Sequence, residues 1–260
     1  MAGKTYHLLV NLTWRCQNQC SYCWEVLMGR NNGGKPYNAE EQDWETWLNV
    51  LNRLPPSVLD LSGGEPTLLE GFDRLVRGLD GKHLIALSTN LRGNAVHKIR
   101  SCESRFFGIN CSWHRDQGLS LETFTKRVVE LMSEGFPVSV NIVEHLDSVD
   151  SAAVELLNDL NVPVHISPFE NPLELCETDL TLKCNAGLNT FCVDPCGDVY
   201  RCLTWFRYSG RRFGYLGNMF KGTFSPLSEI AICNLKCDIY YILDPKHHHK
   251  HIFSTYVRRV

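Results

Sequence analysis

No run of apolar residues in this 260-residue chain approaches the roughly 18 needed to cross a bilayer. The first residues also lack the charged, apolar and small-residue succession of an export signal. A cytoplasmic protein with no membrane partner is therefore expected. An excess of positive charge is missing too, since 26 Lys and Arg against 29 Asp and Glu leave a formal charge of −3. Polyanion binding rests on clustered cations that displace counterions, so no nucleic-acid partner is expected. The pairs Arg211-Arg212 and Arg258-Arg259 are too short to alter this. Internal repeats and low-complexity stretches are absent apart from the His-rich run at 247–251. With 43% apolar and 21% charged residues, nothing suggests a fibre or a disordered chain.

Cysteine, by contrast, is plentiful, with twelve in the chain. In a small secreted protein these would suggest disulfides; without an export signal they read as metal ligands kept reduced in the cytosol.

Between Thr5 and Ser167 the pattern alternates six times between short β-branched or Leu-rich runs and longer helical ones. Strands are predicted at Tyr6–Leu12, Val58–Leu61, His83–Ser88, Phe106–Ser112, Val138–Glu144 and Val164–Ser167. Asn38 and Glu41 form a capping box before Trp44, Trp47, Leu48 and Leu51. A second helix starts at Ser120, places Leu121, Phe124, Val128 and Leu131 on one face, and stops at Gly135 before Pro137. Such alternation implies parallel strands joined by crossovers, here an α/β partial (β/α)6 TIM-like barrel with its site at the C-terminal strand ends. From Pro168 the alternation fails, a hairpin signal appears at 191–200, and six of the cysteines lie between Cys184 and Cys237. The chain is thus divided into a barrel (1–168), a small cysteine-rich α+β domain (169–246) and a His-rich tail (247–260).

Cys16, Cys20 and Cys23 follow the first predicted strand, which brings three thiolates to the barrel mouth from one loop. Three cysteines can ligate only three irons of a 4Fe-4S cluster, leaving the fourth open to the amino and carboxylate groups of a methionine moiety. A structural zinc loop or three unrelated thiols are the alternatives; zinc sites usually have a fourth ligand nearby. The spacing, with Tyr22 just before the last cysteine, resembles the CxxxCxΦC motif of the radical S-adenosylmethionine superfamily. The resemblance implies a 4Fe-4S cluster and S-adenosyl-L-methionine as cofactors, with Tyr22 lying against the adenine.

Further matches extend the resemblance. Ser62-Gly63-Gly64-Glu65-Pro66 ends the second strand and is similar to the family's GGEP motif, which holds the cofactor's amino group. There Gly63 and Gly64 would let the backbone approach the ligand, with Glu65 nearby suiting an ammonium. Ser88 and Asn90 end the third strand, where the family contacts the ribose and carboxylate. On the fourth strand Asn110, Ser112 and His114 share one face, expected to be the wet lumen, while Ile109, Cys111 and Trp113 share the other. Asn110 and Ser112 are assigned to cofactor or substrate contact, and Asn141 is similar to a family position near the ribose. His114 is a weaker candidate, and His165 and Ser167 could reach substrate.

The second cysteine group has Cys184, twelve residues, Gly197, four residues and Cys202, followed by Cys233 and Cys237. Gly197 sits at a hairpin turn that would fold Cys202 back beside Cys184. This resembles the twitch domain, the shortened SPASM domain, and implies a second, auxiliary 4Fe-4S cluster on these four cysteines. Cys233 and Cys237 stand further apart than the tighter pair of the pattern. Cys192 and Cys196 are possible substitutes, and a four-cysteine zinc site is the alternative.

The resemblance implies an oxidoreductase-type enzyme that cleaves S-adenosylmethionine to a 5′-deoxyadenosyl radical and takes a hydrogen atom from a substrate. An electron donor such as flavodoxin or ferredoxin would feed it. A small polar substrate of sugar, aminocyclitol or nucleoside type is favoured, because the first strand begins by residue 5 with no leader-binding extension before it. A peptide-modifying enzyme that oxidises, cross-links or epimerises a ribosomal peptide is the alternative.

Overall fold

The apolar alternation becomes a parallel sheet in the computed structural model of the protein. It describes residues 5–23, 26, 41–103, 105–115, 117–143, 150–167, 177–184, 186–203 and 214–235, with 177–184 and 231–235 described by backbone alone. Strands β1 (Tyr6–Asn11), β2 (Ser57–Ser62), β3 (Leu84–Thr89), β4 (Phe106–Trp113), β5 (Val138–Val143) and β6 (Val164–Ser167) lie side by side in chain order. Every neighbouring pair among them is parallel. Between them fall α1 (Trp44–Leu51), α2 (Phe72–Gly78), α3 (Ala95–Arg100), α4 (Leu121–Ser133) and α5 (Ser151–Asp159). Among the described residues the sheet ends at β6 and does not return to β1, so the barrel is open, as expected of a partial one. No helix among the described residues is long and apolar enough to cross a membrane.

Local signals explain the helix ends. Ser120 caps α4 by accepting from Thr123 N, and Gly135 follows the helix at φ +87°. The expected capping box before α1 is corrected. Asp43 is the cap, accepting from Thr46 N at 2.7 Å, and Glu41 turns away to bind the loop after β1. Asn38, Glu144 and the boundary near Pro168 lie outside the described residues.

Strand alternation then sorts the two faces. Leu8, Val10, Leu59, Leu61, Ile85, Leu87, Ile109, Cys111 and Trp113 join one core with Trp47, Phe72, Phe124 and Leu131 of the helices. The opposite face carries the polar Asn11, Asp60, Ser88, Asn110, Ser112 and Asn141, together with the apolar Leu9 and Ala86. Cys111 thus belongs to the helix-side core, as expected.

The sheet continues beyond β1. Strand β8 (Thr190–Val193) pairs parallel to β1, with Leu9 opposite Cys192, and turns antiparallel into β9 (Asp198–Tyr200) and on to β10 (Tyr215–Asn218). A separate ladder joins β7 (Glu177–Cys184) to β11 (Ala231–Leu235). The β8–β9 turn is the predicted hairpin: Asp194 Oδ1 accepts from Cys196 N and Asp198 N, both at 2.9 Å. Gly197 takes φ +81° there, and a Cβ would lie 2.2 Å from the Phe220 ring. Phe220 in turn packs edge-on against Trp47 at 4.9 Å, fastening the hairpin to α1.

Gly197→Ala should therefore cost about 1–3 kcal/mol in urea unfolding, by strain and by displacing Phe220. Gly222→Ala is the control, since Gly222 has φ +65° but open space around its Cβ. Equal losses in the two variants would show that the Phe220 contact carries nothing.

Candidate functional site

The loop after β1 holds Cys16 (8% exposed), Cys20 (3% exposed) and the half-buried Cys23 at the C-terminal end of the sheet. It is fixed from four sides. From β2, Gly64 N donates to Thr13 O (2.8 Å) and Glu65 N to Arg15 O (2.7 Å). From the segment before α1, Glu41 accepts from Thr13 Oγ1 and from Trp14 N (2.8 Å) and pairs with Arg15 Nε at 3.2 Å. From beyond β3, Arg92 donates to Gln17 O (3.0 Å) and Asn18 Oδ1 (2.7 Å). Gln117, beyond β4, accepts from Gln19 N at 2.8 Å.

The two glycines serve this apposition. A Cβ on Gly63 would lie 2.5 Å from Thr13 O, and one on Gly64 would lie 2.3 Å from Arg15 O. The close approach expected toward a ligand is thus made, in these directions, to the cysteine loop's own backbone. Glu65 likewise has another occupation than facing an ammonium. Fully buried, it caps a 3-10 turn at Pro66–Leu68. Its Oε1 accepts from Thr67 Oγ1 (2.6 Å), Thr67 N (3.2 Å) and Thr89 Oγ1 (2.8 Å), and its Oε2 from Asn90 N (2.7 Å). Burial pushes its pKa up, and these donors oppose the rise.

Asn90, so placed, points its Nδ2 at Cys16 Sγ (3.4 Å) and Gln17 Oε1 (3.4 Å), while its Oδ1 accepts from Arg92 N. Cys16 Sγ also accepts from Asn18 N at 3.4 Å. Burial raises the Cys16 thiol to about 12 and Cys20 to about 11, and for both the neighbouring cysteines add to the rise. The neutral thiol is thus favoured near neutral pH, and a bound cation would favour the thiolate instead. Two N–H groups already aimed at one sulfur are the surroundings that suit a cluster thiolate. Among the described residues no three His, Cys, Asp or Glu side chains are drawn together closely enough to hold a single metal ion. In a polynuclear cluster each thiolate would take its own iron, and three cysteines of one loop can supply three such ligands.

The lumen-side polar residues align across the sheet: Ser88 is opposite Asn110, Asn110 opposite Ser139, Ser112 opposite Asn141, and Asn141 opposite His165. Ser88 Oγ donates to Asp60 Oδ1 at 3.2 Å, and Ser167 Oγ to Asn141 Oδ1 at 2.7 Å. Tyr22 is half-buried, its ring stacked with His114 at 6.1 Å and its hydroxyl 2.8 Å from His114 Nδ1. His114, the weaker candidate from sequence, thus belongs to the cysteine loop's surroundings, and protein packed around it lowers its pKa to about 4.

In the second group, Cys184 stands opposite Ala231 and Cys233 opposite Leu182, two rungs apart in one antiparallel ladder. Cys202 is buried, and Cys237 lies outside the described residues. Cys192 is fully buried on the lumen side with Asn11 Nδ2 at 3.4 Å from its sulfur, and Cys196 is half-buried in the β8–β9 turn.

Sequence reasoning missed Glu41, Arg92, Gln117 and Asp60 as parts of this site. Asp60 was legible in principle, because it alternates with Leu59 and Leu61 as Asn110 does with Ile109 and Cys111. The other three carry no local signal.

No family model matches the chain. Among curated proteins it is 35% identical over 94 residues to the PqqA peptide cyclase of Rhodopseudomonas palustris, covering 36% of this chain and 23% of that protein. It is 21% identical over 177 residues to the GTP 3',8-cyclase of Psychromonas ingrahamii, covering 66% of the chain and 52% of that protein. It is 25% identical over 219 residues to the sporulation killing factor maturation protein SkfB of Bacillus subtilis, covering 76% and 44%. The chain thus spans between about a quarter and a half of the length of these relatives. Among solved structures, BtrN in complex with AdoMet and 2-DOIA superposes with TM-score 0.54 at 13% identity over 86% of this chain and 81% of that one. Histidine-tagged anSMEcpe with bound AdoMet gives 0.60 at 16% identity over 84% and 76%. Native anSMEcpe with AdoMet and the Cp18Cys peptide gives 0.57 at 16% over 84% and 78%. These likenesses show a shared fold.

Asp60 yields a test of the site's electrostatics. Burial raises its pKa from 3.8 to about 7, so between those values the folded carboxyl keeps a proton that the unfolded chain has lost. Stability must then fall as pH rises through that window. Asp60→Asn removes this contribution, and in urea unfolding the variant should gain on the wild type between about pH 4 and about pH 7.5. A difference independent of pH would mean that Asp60 ionises normally.

Proposed function

We propose that the chain is a radical S-adenosylmethionine enzyme of the twitch subgroup, of oxidoreductase type and acting on a small polar substrate of sugar, aminocyclitol or nucleoside type. The observation that carries the cofactor reading is Cys16, with Asn18 N and Asn90 Nδ2 directed at its sulfur inside a loop that also bears Cys20 and Cys23. When bound, a 4Fe-4S cluster with S-adenosyl-L-methionine would supply a 5′-deoxyadenosyl radical, by one-electron cleavage of the sulfonium, that takes a hydrogen atom from the substrate. An electron donor such as flavodoxin or ferredoxin is part of the proposal. So is a cytoplasmic setting, which suits the eight free cysteines among the described residues.

The chain's own residues have two tasks. Glu65, Asn90, Arg92 and Glu41 hold the cysteine loop rigidly, so the three thiols are arranged before any ligand arrives. Ser88, Asn110, Ser112 and Asn141 line the lumen above the sheet with hydroxyl and amide groups, the partners a polyhydroxylated ribose or substrate requires. Glu65 contributes to cofactor binding through Asn90, and Gly63 and Gly64 through the loop they allow to pack.

The likeness to BtrN, whose structure holds 2-DOIA, supports a small substrate. The PqqA peptide cyclase and the peptide complex of anSMEcpe favour a second reading, a peptide-modifying enzyme. One assay separates them: acceleration of 5′-deoxyadenosine release by a panel of aminocyclitols and nucleosides, or by short peptides encoded beside the gene.

Reconstituted and reduced, the wild type should convert S-adenosylmethionine to methionine and 5′-deoxyadenosine, and Cys20→Ala, lacking one of only three ligands, should lose this by at least about 100-fold. Undiminished cleavage by Cys20→Ala, followed by chromatography, would sink the assignment.

We further propose that residues 169–246 form an auxiliary-cluster domain after a barrel at 1–168, with 247–260 as a tail. Cys184, Cys202, Cys233 and Cys237 would fully ligate a second 4Fe-4S centre, an acceptor for the electron that substrate oxidation releases. The β7–β11 ladder, which carries two of the four, supports this set. Wild type should then hold about eight irons per chain and Cys184→Ala/Cys237→Ala about four. Circular dichroism must show the variant folded, and a full iron complement in it would reassign the ligands to Cys192 and Cys196.

A further inference from the structure

His114 follows the last residue of β4, where Trp113 is anchored on the opposite face: its Nε1 donates to Asp150 Oδ2 at 2.9 Å and its ring packs on Phe124 at 5.2 Å. Strand alternation therefore turns His114 back over the cysteine loop. There its Nδ1 lies 2.8 Å from the Tyr22 hydroxyl and 3.5 Å from Cys20 Sγ. The Tyr22 hydroxyl is itself within hydrogen-bond reach of Cys20 Sγ. His114 Nδ1, the Tyr22 hydroxyl and Cys20 Sγ thus form a triangle at one of the three loop sulfurs.

The protons in that triangle can be placed by counting donors. A metal-bound thiolate only accepts, a tyrosine hydroxyl has one proton, and a neutral imidazole carries one N–H. If Tyr22 gave its proton to His114, Nδ1 would have none to offer and the sulfur would face two acceptors. If Nδ1–H donates to the Tyr22 oxygen, the hydroxyl proton is free for Cys20, and each acceptor has a donor. We infer that Tyr22 and His114 form a hydrogen-bond relay on the Cys20 thiolate, with Tyr22 as the donor to sulfur and His114 as the positioning residue that orients it. The inference rests on the reading of Cys20 as a cluster ligand. It gives Tyr22 a task in its hydroxyl that is separate from any stacking by its ring, and gives His114 one where the strand pattern alone offered only a lumen-facing polar residue.

A hydrogen bond to a cluster sulfur stabilises the more negative, reduced state, so the relay should make the cluster easier to reduce. The test is an EPR-monitored redox titration of the anaerobically reconstituted enzyme, following the signal that S-adenosylmethionine perturbs. Tyr22→Phe keeps the ring and removes the donor. It should lower the ratio of reduced to oxidised cluster at a fixed potential roughly tenfold, a midpoint shift of about 59 mV to more negative values for one electron. His114→Ala should act in the same direction, and the double variant should add little to Tyr22→Phe, because both break one relay. His114→Asn, whose side-chain nitrogen can stand in for Nδ1, should restore most of the midpoint.

An unchanged midpoint in Tyr22→Phe overturns the relay. So does a His114→Asn variant as low as His114→Ala, which would make the histidine a packing residue. Iron analysis of the wild type separates these failures from a deeper one: a wild type that assembles no cluster overturns the ligand assignment and the relay together. If Tyr22→Phe fails to load iron, the two His114 variants decide.

Discussion

A carboxylate with no exposure to water holds the site together. Burying the Glu65 charge is costly, and the cost is offset only because Thr67 contributes a hydroxyl and an amide, Thr89 a hydroxyl and Asn90 an amide to its two oxygens. Those donors come from the turn after β2 and from the end of β3, so satisfying one side chain locks two strand ends in register. The consequence reaches the cysteines at once. Asn90 is held with its own amide on Cys16, and the Glu65 backbone N–H holds Arg15 O at the start of the same loop. Loosening the carboxylate would release both.

The loop is thus arranged ahead of any ligand, in surroundings that disfavour its charge. Burial raises Cys16 and Cys20 well above an ordinary thiol, and Glu65 adds a further rise at Cys16. The same cage brings N–H groups to the Cys16 sulfur, which help a thiolate and do little for a thiol. These two tendencies agree only when a cation replaces the proton. The rigidity and the electrostatics of the loop are thus compatible with the metal centre proposed for it.

The sheet also connects the two cysteine regions mechanically. Strand β1 carries the first loop at its C-terminal end and pairs on its free side with β8, which leads into the turn at Gly197. Asn11, the last residue of β1, donates to Val193 O at 3.0 Å, so the end of β8 is tied to the start of the loop. Phe220 then packs on Trp47 of α1, beside the segment whose Glu41 clamps Thr13 and Trp14. A disturbance in the cysteine-rich hairpin has a short route through packed elements to the loop that bears Cys16, Cys20 and Cys23.

The sequence by itself determined the open parallel sheet, because a strand's period of two and a helix's period of about 3.6 leave separate traces along one chain, and β4 shows both faces in Ile109, Cys111 and Trp113 against Asn110 and Ser112. It also determined the three-cysteine loop and the strand-end motif, since their residues are neighbours in the chain and their spacing is the signal. What Gly63, Gly64, Glu65 and Asn90 do was decided only by tertiary structure: glycine at 63 and 64 is explained by the Thr13–Arg15 backbone packed against it, and Glu65 by donors that include the end of the neighbouring strand β3. Glu41 fitted a helix cap as well as a loop clamp until the loop was there to receive it. Asp60 was legible by alternation, but its pairing with Ser88 depended on which strand lay beside it, and His114 met Tyr22 only because β4 and the loop after β1 end at the same rim of the sheet. Local periodicity is a property of consecutive residues, whereas the partner of a buried polar atom is chosen by strand order, which no local window of the chain contains.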